Sequence, residues 1–404
     1  MPDIKKILGK RRSDFVTFFK FWWLIFLLLS LLSACAPKST IDLHSTTGKD
    51  PITEFKLRLD KLREELGIPG ISLVVLHRQQ VLFADGFGYA NLEKKIPATP
   101  ETPYNIASLT KTFSAVVIMK LVEEGRLDLD AELAVLLENK VIKRGQRTFH
   151  GYSEACQEII AASKNPFFRY PSLIRNYHCD SERITVRHLL THTSQGVPGE
   201  NYQYNGFLFG FLSSVVEAAS GENFDQILVN TIIMPLDMTS TIPSWDDKLR
   251  DRTLSERAIY YRKSLFGFVP SEYRTRLSAS AGMVSNVMDL AKFELAMDRD
   301  LVVSKESKEA MFTATRSKSG KRLPYGLGWF VQNYKEMKLV WHYGHAPKAY
   351  SSLILKCLDR DATLILLANS DGASASFDLG AGDVMKSPFA SAFIAFTDKI
   401  ESAP

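Results

Sequence analysis

Residues 338–369 read "KLVWHYGHAPKAYSSLILKCLDRDATLILLAN". Three extended runs, KLVWHYG, YSSLILKCL and TLILLAN, follow one another across short links. Strands joined so closely pair antiparallel, because parallel pairing needs a crossover of a dozen residues or more. In the middle run Leu353, Leu355 and Cys357 recur at every second position and share one face, so Cys357 reads as a core thiol. Two more extended runs, "GISLVVLHR" (70–78) and "QVLFADGFGYA" (80–90), lie towards the other end of the chain with a short polar turn between them. Before them, "ITEFKLRLDKLREEL" (52–66) places Phe55, Leu59, Leu62 and Leu66 on one helix face. After the last strand, "SPFASAFIAFTDKI" (387–400) has the pattern of a helix that packs on the sheet. The middle of the chain is mostly helical in pattern. The expected class is α/β in the broad sense, more narrowly α+β: one antiparallel sheet built from both termini, flanked by helices, with a helical subdomain inserted. Residues 139–182 are aromatic, basic and poor in periodicity, and read as an insertion within the domain.

The 404 residues are 45% hydrophobic and 24% charged, as in ordinary globular proteins. The formal charge is +5. Residues 1–34 hold six basic side chains (Lys5, Lys6, Lys10, Arg11, Arg12, Lys20) against Asp3 and Asp14, so nearly all of the excess sits there. The near-neutral remainder gives no case for a nucleic-acid partner. That basic start runs into "FWWLIFLLLSLL" (21–32), too short for a comfortable membrane span of about 20 residues and suited to a secretory signal. Leu32-Ser33-Ala34-Cys35 resembles a bacterial lipobox, with Cys35 the lipidated residue; an uncleaved anchor is the other reading. Both put residues 51–404 outside the cytoplasm, facing the periplasm or cell exterior, on a polar tether over 35–50 and held to a membrane. In that oxidising setting Cys156 and Cys179, which lie in one irregular segment, are the expected disulfide pair, with two separate buried thiols as the alternative. Such a bridge is worth about 3 kcal/mol.

"NIASLTKTFSAVV" (105–117) sets Ser108 three residues before Lys111, where a long apolar helix begins. Residues i and i+3 share a helix face, so the two side chains are neighbours. A serine hydroxyl becomes a good nucleophile when a base takes its proton, and a lysine serves as that base once burial lowers its pKa. The same serine also suits a helix N-cap, so the tetrapeptide alone leaves both readings open. His188 and His192 are four apart, as helical metal ligands can be, but no Glu follows His188 and no cysteine spacing fits zinc. No Gly-x-Ser-x-Gly elbow occurs.

The surrounding blocks carry a resemblance. "YNIASLTKTFSAVVIMKLVEEGRLDLD" is followed in order by "ITVRHLLTHTSQGVPGENYQY", "MPLDMTSTIP", "SASAGMVSNVMDLAKF", "YGLGWFV" and "HYGHAPKAYSSLIL". Their order and spacing over residues 52–370 are similar to the serine β-lactamase-related family of class C β-lactamases, DD-peptidases and related esterases and amidases. The resemblance implies a β-lactamase/transpeptidase-like fold, Ser108 as nucleophile and Lys111 as its partner. The family's second motif, Tyr-x-Asn, falls on Tyr204, and its Asn position is Gly206; whether Asn205 replaces the missing amide stays open. The third motif falls on His342-Tyr343-Gly344, with His342 and Gly344 on one strand face beside the substrate. The implied oxyanion donors are the backbone N–H groups of Ser108 and His345.

A third-motif histidine, mostly neutral at neutral pH, pulls weakly on a substrate carboxylate, which argues against an efficient β-lactamase. The expectation is an exported, lipid-anchored serine hydrolase acting through an acyl-enzyme on an ester or amide: a D-alanyl peptide, a β-lactam or a small ester. A penicillin-binding DD-peptidase-like protein and a catalytically impaired binding lipoprotein are the alternatives. The implied partners are a small-molecule or peptide acyl substrate, the membrane through the lipid, and peptidoglycan. No cofactor or metal is implied.

Overall fold

Residues Gly70–His77 pair antiparallel with Ala362–Ala368, in register from Ile71 opposite Ala368 to His77 opposite Ala362. This pairing joins the two ends of the domain in one sheet. The computed structural model describes residues 50–402 except 145–146, 165–173, 175, 179–182, 244–249 and 274–275. Its sheet has seven strands: β1 (Gly70–His77), β2 (Gln80–Asn91), β3 (Ile96–Pro97), β4 (Phe330–Tyr334), β5 (Met337–Ala346), β6 (Tyr350–Cys357) and β7 (Ala362–Ala368), in spatial order β4-β5-β6-β7-β1-β2-β3. The pairs β4–β5, β5–β6, β6–β7 and β1–β2 are antiparallel as well. The helices used below are α1 (Pro51–Glu65), α2 (Thr110–Glu123), α3 (Tyr152–Ser163), α4 (Gly206–Phe209), α5 (Leu212–Ser220), α6 (Val287–Asp298) and α7 (Pro388–Glu401).

Strand alternation sorts the core into two layers. Ile71, Leu73, Val75, Leu353, Leu355, Cys357, Leu364 and Leu366 face α1 and α7, where Phe55 stacks on Phe396 with ring centroids 4.4 Å apart. Val74, Leu76, Val340, Ile354, Ile365 and Leu367 face the larger helical part of the domain. There α2 is buried on nearly every side, and Phe113 stacks on Phe293 of α6 at 4.0 Å. A helix apolar all round belongs at the centre of a domain. Phe55, Leu59 and Leu62 are buried as their spacing requires, while Leu66 becomes the C-cap of α1. Cys357 is a buried free thiol.

Within 139–182, Val141–Arg144 and Arg147–His150 form a hairpin, and α3 follows. Ile142, Phe149, Tyr152, Ala155 and Cys156 belong to the main core, so this segment is built into the domain. Its weak periodicity reflects a hairpin and a helix that each turn only a few residues inward. Cys156 is disulfide-bonded; Cys179, its expected partner, lies outside the described residues. So do the apolar run 21–32, Cys35 and the tether up to residue 49. Among the described residues no helix is long and apolar enough to cross a membrane.

One buried ion cluster ties the sheet to α6. Lys356 Nζ lies 2.7 Å from Glu294 and 2.8 Å from Asp298. Burial would lower the lysine pKa, but the two carboxylates outweigh it and hold the pKa above its ordinary value. Replacing Glu294 by Ala leaves the ammonium with one carboxylate in an apolar layer, and is expected to cost about 3–5 kcal/mol in urea unfolding.

Candidate active site

Ser108 stands in a 3₁₀ turn, Ala107–Leu109, that leads straight into α2. It is the one residue between Thr102 and Met119 that is not buried. The N-cap of α2 is Leu109, which makes no side-chain cap, so Ser108 is not the residue that starts the helix. Side chains three apart eclipse in a 3₁₀ turn. Lys111 Nζ accordingly lies 2.9 Å from Ser108 Oγ, with the Ser280 carbonyl at 2.8 Å on its other side. Lys111 is fully buried, and no carboxylate lies within ion-pair distance of it among the described residues. Desolvation therefore brings its pKa down to about 7. Lys356 is equally buried and shifts the opposite way; the difference is the two carboxylates.

The turn is held under strain. Ala107 has φ of 48°, a left-handed conformation that is uncommon without glycine. Its neighbours fix it: Ile106 N–H donates to the Met283 carbonyl, Ser352 Oγ donates to the Ile106 carbonyl at 2.8 Å, and Thr110 Oγ1 donates to the Ala107 carbonyl. The turn packs directly on β5. A Cβ at Gly344 would lie 2.1 Å from Ser352 Oγ and 2.5 Å from the Ile106 carbonyl, so only glycine lets the strand pass under Ser108.

The free edge of β5 begins there. The two-residue turn between Tyr334 and Met337 makes these a hydrogen-bonded pair, so Met337 turns its backbone N–H and C=O towards β4. Alternation carries that direction to every odd-numbered residue of β5. The last residue opposite β4 is Trp341, so at His345 the backbone N–H faces outward, with no strand beside it among the described residues. The His345 side chain is exposed, 3.9 Å from Asp371.

Tyr204 completes the cluster. Lys111 Nζ sits 5.2 Å from its ring centroid, and its ring stacks on Phe330 at 5.8 Å and meets Tyr343 at 5.9 Å. Its hydroxyl is buried and makes no hydrogen bond of good geometry. Burial raises its pKa well above the ordinary value and Tyr343 adds to this, while nearby Ser108 works the other way.

Two side chains expected beside the substrate have partners within the protein. His342 has both ring nitrogens engaged. It is fully buried; Nδ1 lies 2.8 Å from the Tyr343 carbonyl and Nε2 2.8 Å from the Tyr325 hydroxyl. A carbonyl only accepts, so Nδ1 carries the proton and Nε2 accepts from Tyr325. Burial, with Lys111 nearby, keeps the ring neutral. The Asn205 carboxamide is engaged as well. Its Oδ1 caps α4 by accepting from Leu208 N–H, and its Nδ2 donates to Gln195 at 2.7 Å. At Gly206 itself a Cβ would lie 3.5 Å from Lys111 Nζ. His188 has a structural role: Thr185 and His188 form a reciprocal capping box at Val186–Leu190. Among the described residues no cluster suits a metal.

The model of the family described as Beta-lactamase matches residues 55–384. The chain belongs to the Beta-lactamase family. Family members are serine hydrolases. The chain is 25% identical over 343 residues to Penicillin-binding protein 4* of Bacillus subtilis, an alignment covering 72% of this chain and 66% of that protein. It thus spans slightly less than two thirds of that relative's length. Among solved structures, the octameric penicillin-binding protein homologue from Pyrococcus abyssi superposes with a TM-score of 0.65 at 26% identity, over 85% of this chain and 77% of that one. The D-amino acid amidase from Ochrobactrum anthropi SV3 shares the fold, with a TM-score of 0.66 at 18% identity, over 88% and 100% of the two chains.

The Ser280 carbonyl and Tyr325 escaped the reading of the sequence. Ser280 contributes a backbone atom, which leaves no mark in residue type; Tyr325 lies in the quoted block "YGLGWFV" but shows its partner only in three dimensions. Gly344→Ala should push the Ile106–Ser108 turn off the strand. The expected outcome is at least a tenfold loss of covalent labelling at Ser108 by a fluorophosphonate, read by intact mass on folded protein.

Proposed function

We propose that this protein hydrolyses an ester or amide through an acyl-enzyme on Ser108. The observation that carries the reading is the Lys111 amine 2.9 Å from Ser108 Oγ with its pKa near 7. Ser108 Oγ attacks the carbonyl carbon, its proton passes to the Lys111 amine, and an Oγ–C bond forms. The oxyanion sits between the backbone N–H groups of Ser108 and His345, each such donor being worth about 100- to 1000-fold. Collapse expels the alcohol or amine, which takes up the proton through Lys111 and Tyr204; water then releases the acid. The family's relatives include proteins named for penicillin binding, so a penicillin and a D-alanyl peptide are the acyl donors to try beside a short aryl ester. Gly206 leaves the lysine without a carboxamide neighbour, which favours donors that need no hydrogen bond there. Export and lipid attachment at Cys35 are part of the same proposal, supported by the basic and apolar sequence ahead of it.

Labelling of Ser108 by a fluorophosphonate, lost in Ser108→Ala and reduced about 100-fold or more in Lys111→Ala, is the expected result. Labelling that persists in Ser108→Ala would refute the nucleophile. The acylation rate should also depend on pH with a set sign. Below about 7 Lys111 is protonated and has no lone pair for the serine proton; above it the amine is free. Single-turnover acylation should therefore rise from pH 6 to pH 8 with a midpoint near 7. For Cys35, growth of the full chain in a bacterial host and detergent phase partition should place wild type with the lipid phase and Cys35→Ala in the aqueous one.

A further inference from the structure

His192 is the partner of the histidine pair that the capping box does not use. It is 3% exposed and has φ of 55°. Its carbonyl accepts the Gln203 N–H at 2.8 Å, and its Nδ1 accepts the Asn205 N–H at 3.1 Å. One residue thus holds both chain neighbours of Tyr204. Its ring also lies against the phenol, with centroids 4.4 Å apart, and meets Tyr325 edge-on at 4.8 Å. Because Nδ1 accepts, the proton of the neutral ring is on Nε2, a buried atom with no hydrogen-bond partner. Leaving that donor unmatched is destabilising, and packing alone gives no reason for it, since an apolar side chain fills the same space.

We propose that His192 is the positioning residue for Tyr204: it clasps residues 203 and 205 and backs the ring, so that the phenol is presented to Ser108 and Lys111. Burial, with Lys111 and His342 nearby, lowers the imidazole pKa well below its ordinary value and so keeps Nδ1 an acceptor. A protonated ring would turn a donor towards the Asn205 N–H and open the clasp. The left-handed backbone is part of the arrangement, because it turns the carbonyl and the ring of one residue towards the same segment.

The proposal rests on Tyr204 taking part in acylation, and a double-mutant cycle separates the two questions. Single-turnover acylation by an aryl ester is measured for wild type, Tyr204→Phe, His192→Gly, His192→Asn and the Tyr204→Phe/His192→Gly double variant, each as gel-filtered folded protein. Gly and Asn both tolerate positive φ, and Asn keeps an acceptor at the place of Nδ1. His192→Gly should slow acylation about 10- to 100-fold with ester affinity within about twofold of wild type, and His192→Asn should recover most of the rate. In the Tyr204→Phe background, His192→Gly should add no more than about a twofold loss. An equal loss with and without the phenol would overturn the proposal, as would an acylation rate unchanged in His192→Gly. Failure of both His192 variants to fold would overturn it too, by making His192 a core residue. An unchanged Tyr204→Phe rate would instead remove the role of Tyr204 itself.

Discussion

A lysine amine buried without a carboxylate is the constraint on which the site depends. Charged, such a group loses its hydration and meets no opposite charge in return, so burial favours the neutral amine. That choice is made by desolvation: Lys111 stands on a helix buried on nearly all sides and is itself fully buried, which outweighs the Ser280 carbonyl and the Tyr204 and Phe209 rings beside it. The same residue type at position 356, on the sheet, meets Glu294 and Asp298 and stays charged. One fold therefore holds buried lysine in two ways, with a lowered pKa beside a hydroxyl and as a charged rivet between a strand and a helix.

The sheet matters to the chemistry through its edge. The end of β4 at the level of Trp341 exposes one side of β5 at His345, and Gly344 lets the strained Ile106–Ser108 turn settle on that strand. The outward-facing N–H of His345 is thus brought to the Ser108–Lys111 pair from more than two hundred residues along the chain, registered by one glycine and one serine hydroxyl. Ser352, on the neighbouring strand β6, holds the turn by donating to the Ile106 carbonyl.

The polar residues around this centre are distributed differently from the expectation. His342 is used inside the strand, donating to its own neighbour's carbonyl and accepting from Tyr325. Asn205 is used to cap α4, and Gly206 leaves space at the amine. Side chains that the motif pattern places towards a substrate are thus partnered inside the domain, while Lys111 lies 2.9 Å from Ser108 Oγ.

Much of the fold was legible because it is written in periodicity. Alternation in 338–369 fixes which side of each strand is buried, and the spacing of Phe55, Leu59 and Leu62 fixes a helix face. The Ser108–Lys111 separation determines their contact on any helical turn, since it is a local distance. The rest depends on what lies far away in the chain. Whether Lys111 is neutral is decided by the absence of a nearby carboxylate, whether His342 faces a substrate by Tyr325, and whether Asn205 is available by the helix it begins. In segment 139–182 the described hairpin and helix each turn only a few residues inward, which leaves no clear period, yet those residues enter the main core. A sequence sets spacing along the chain; desolvation and hydrogen-bond partners come from packing across it, and those decide the charge and direction of each group at the site.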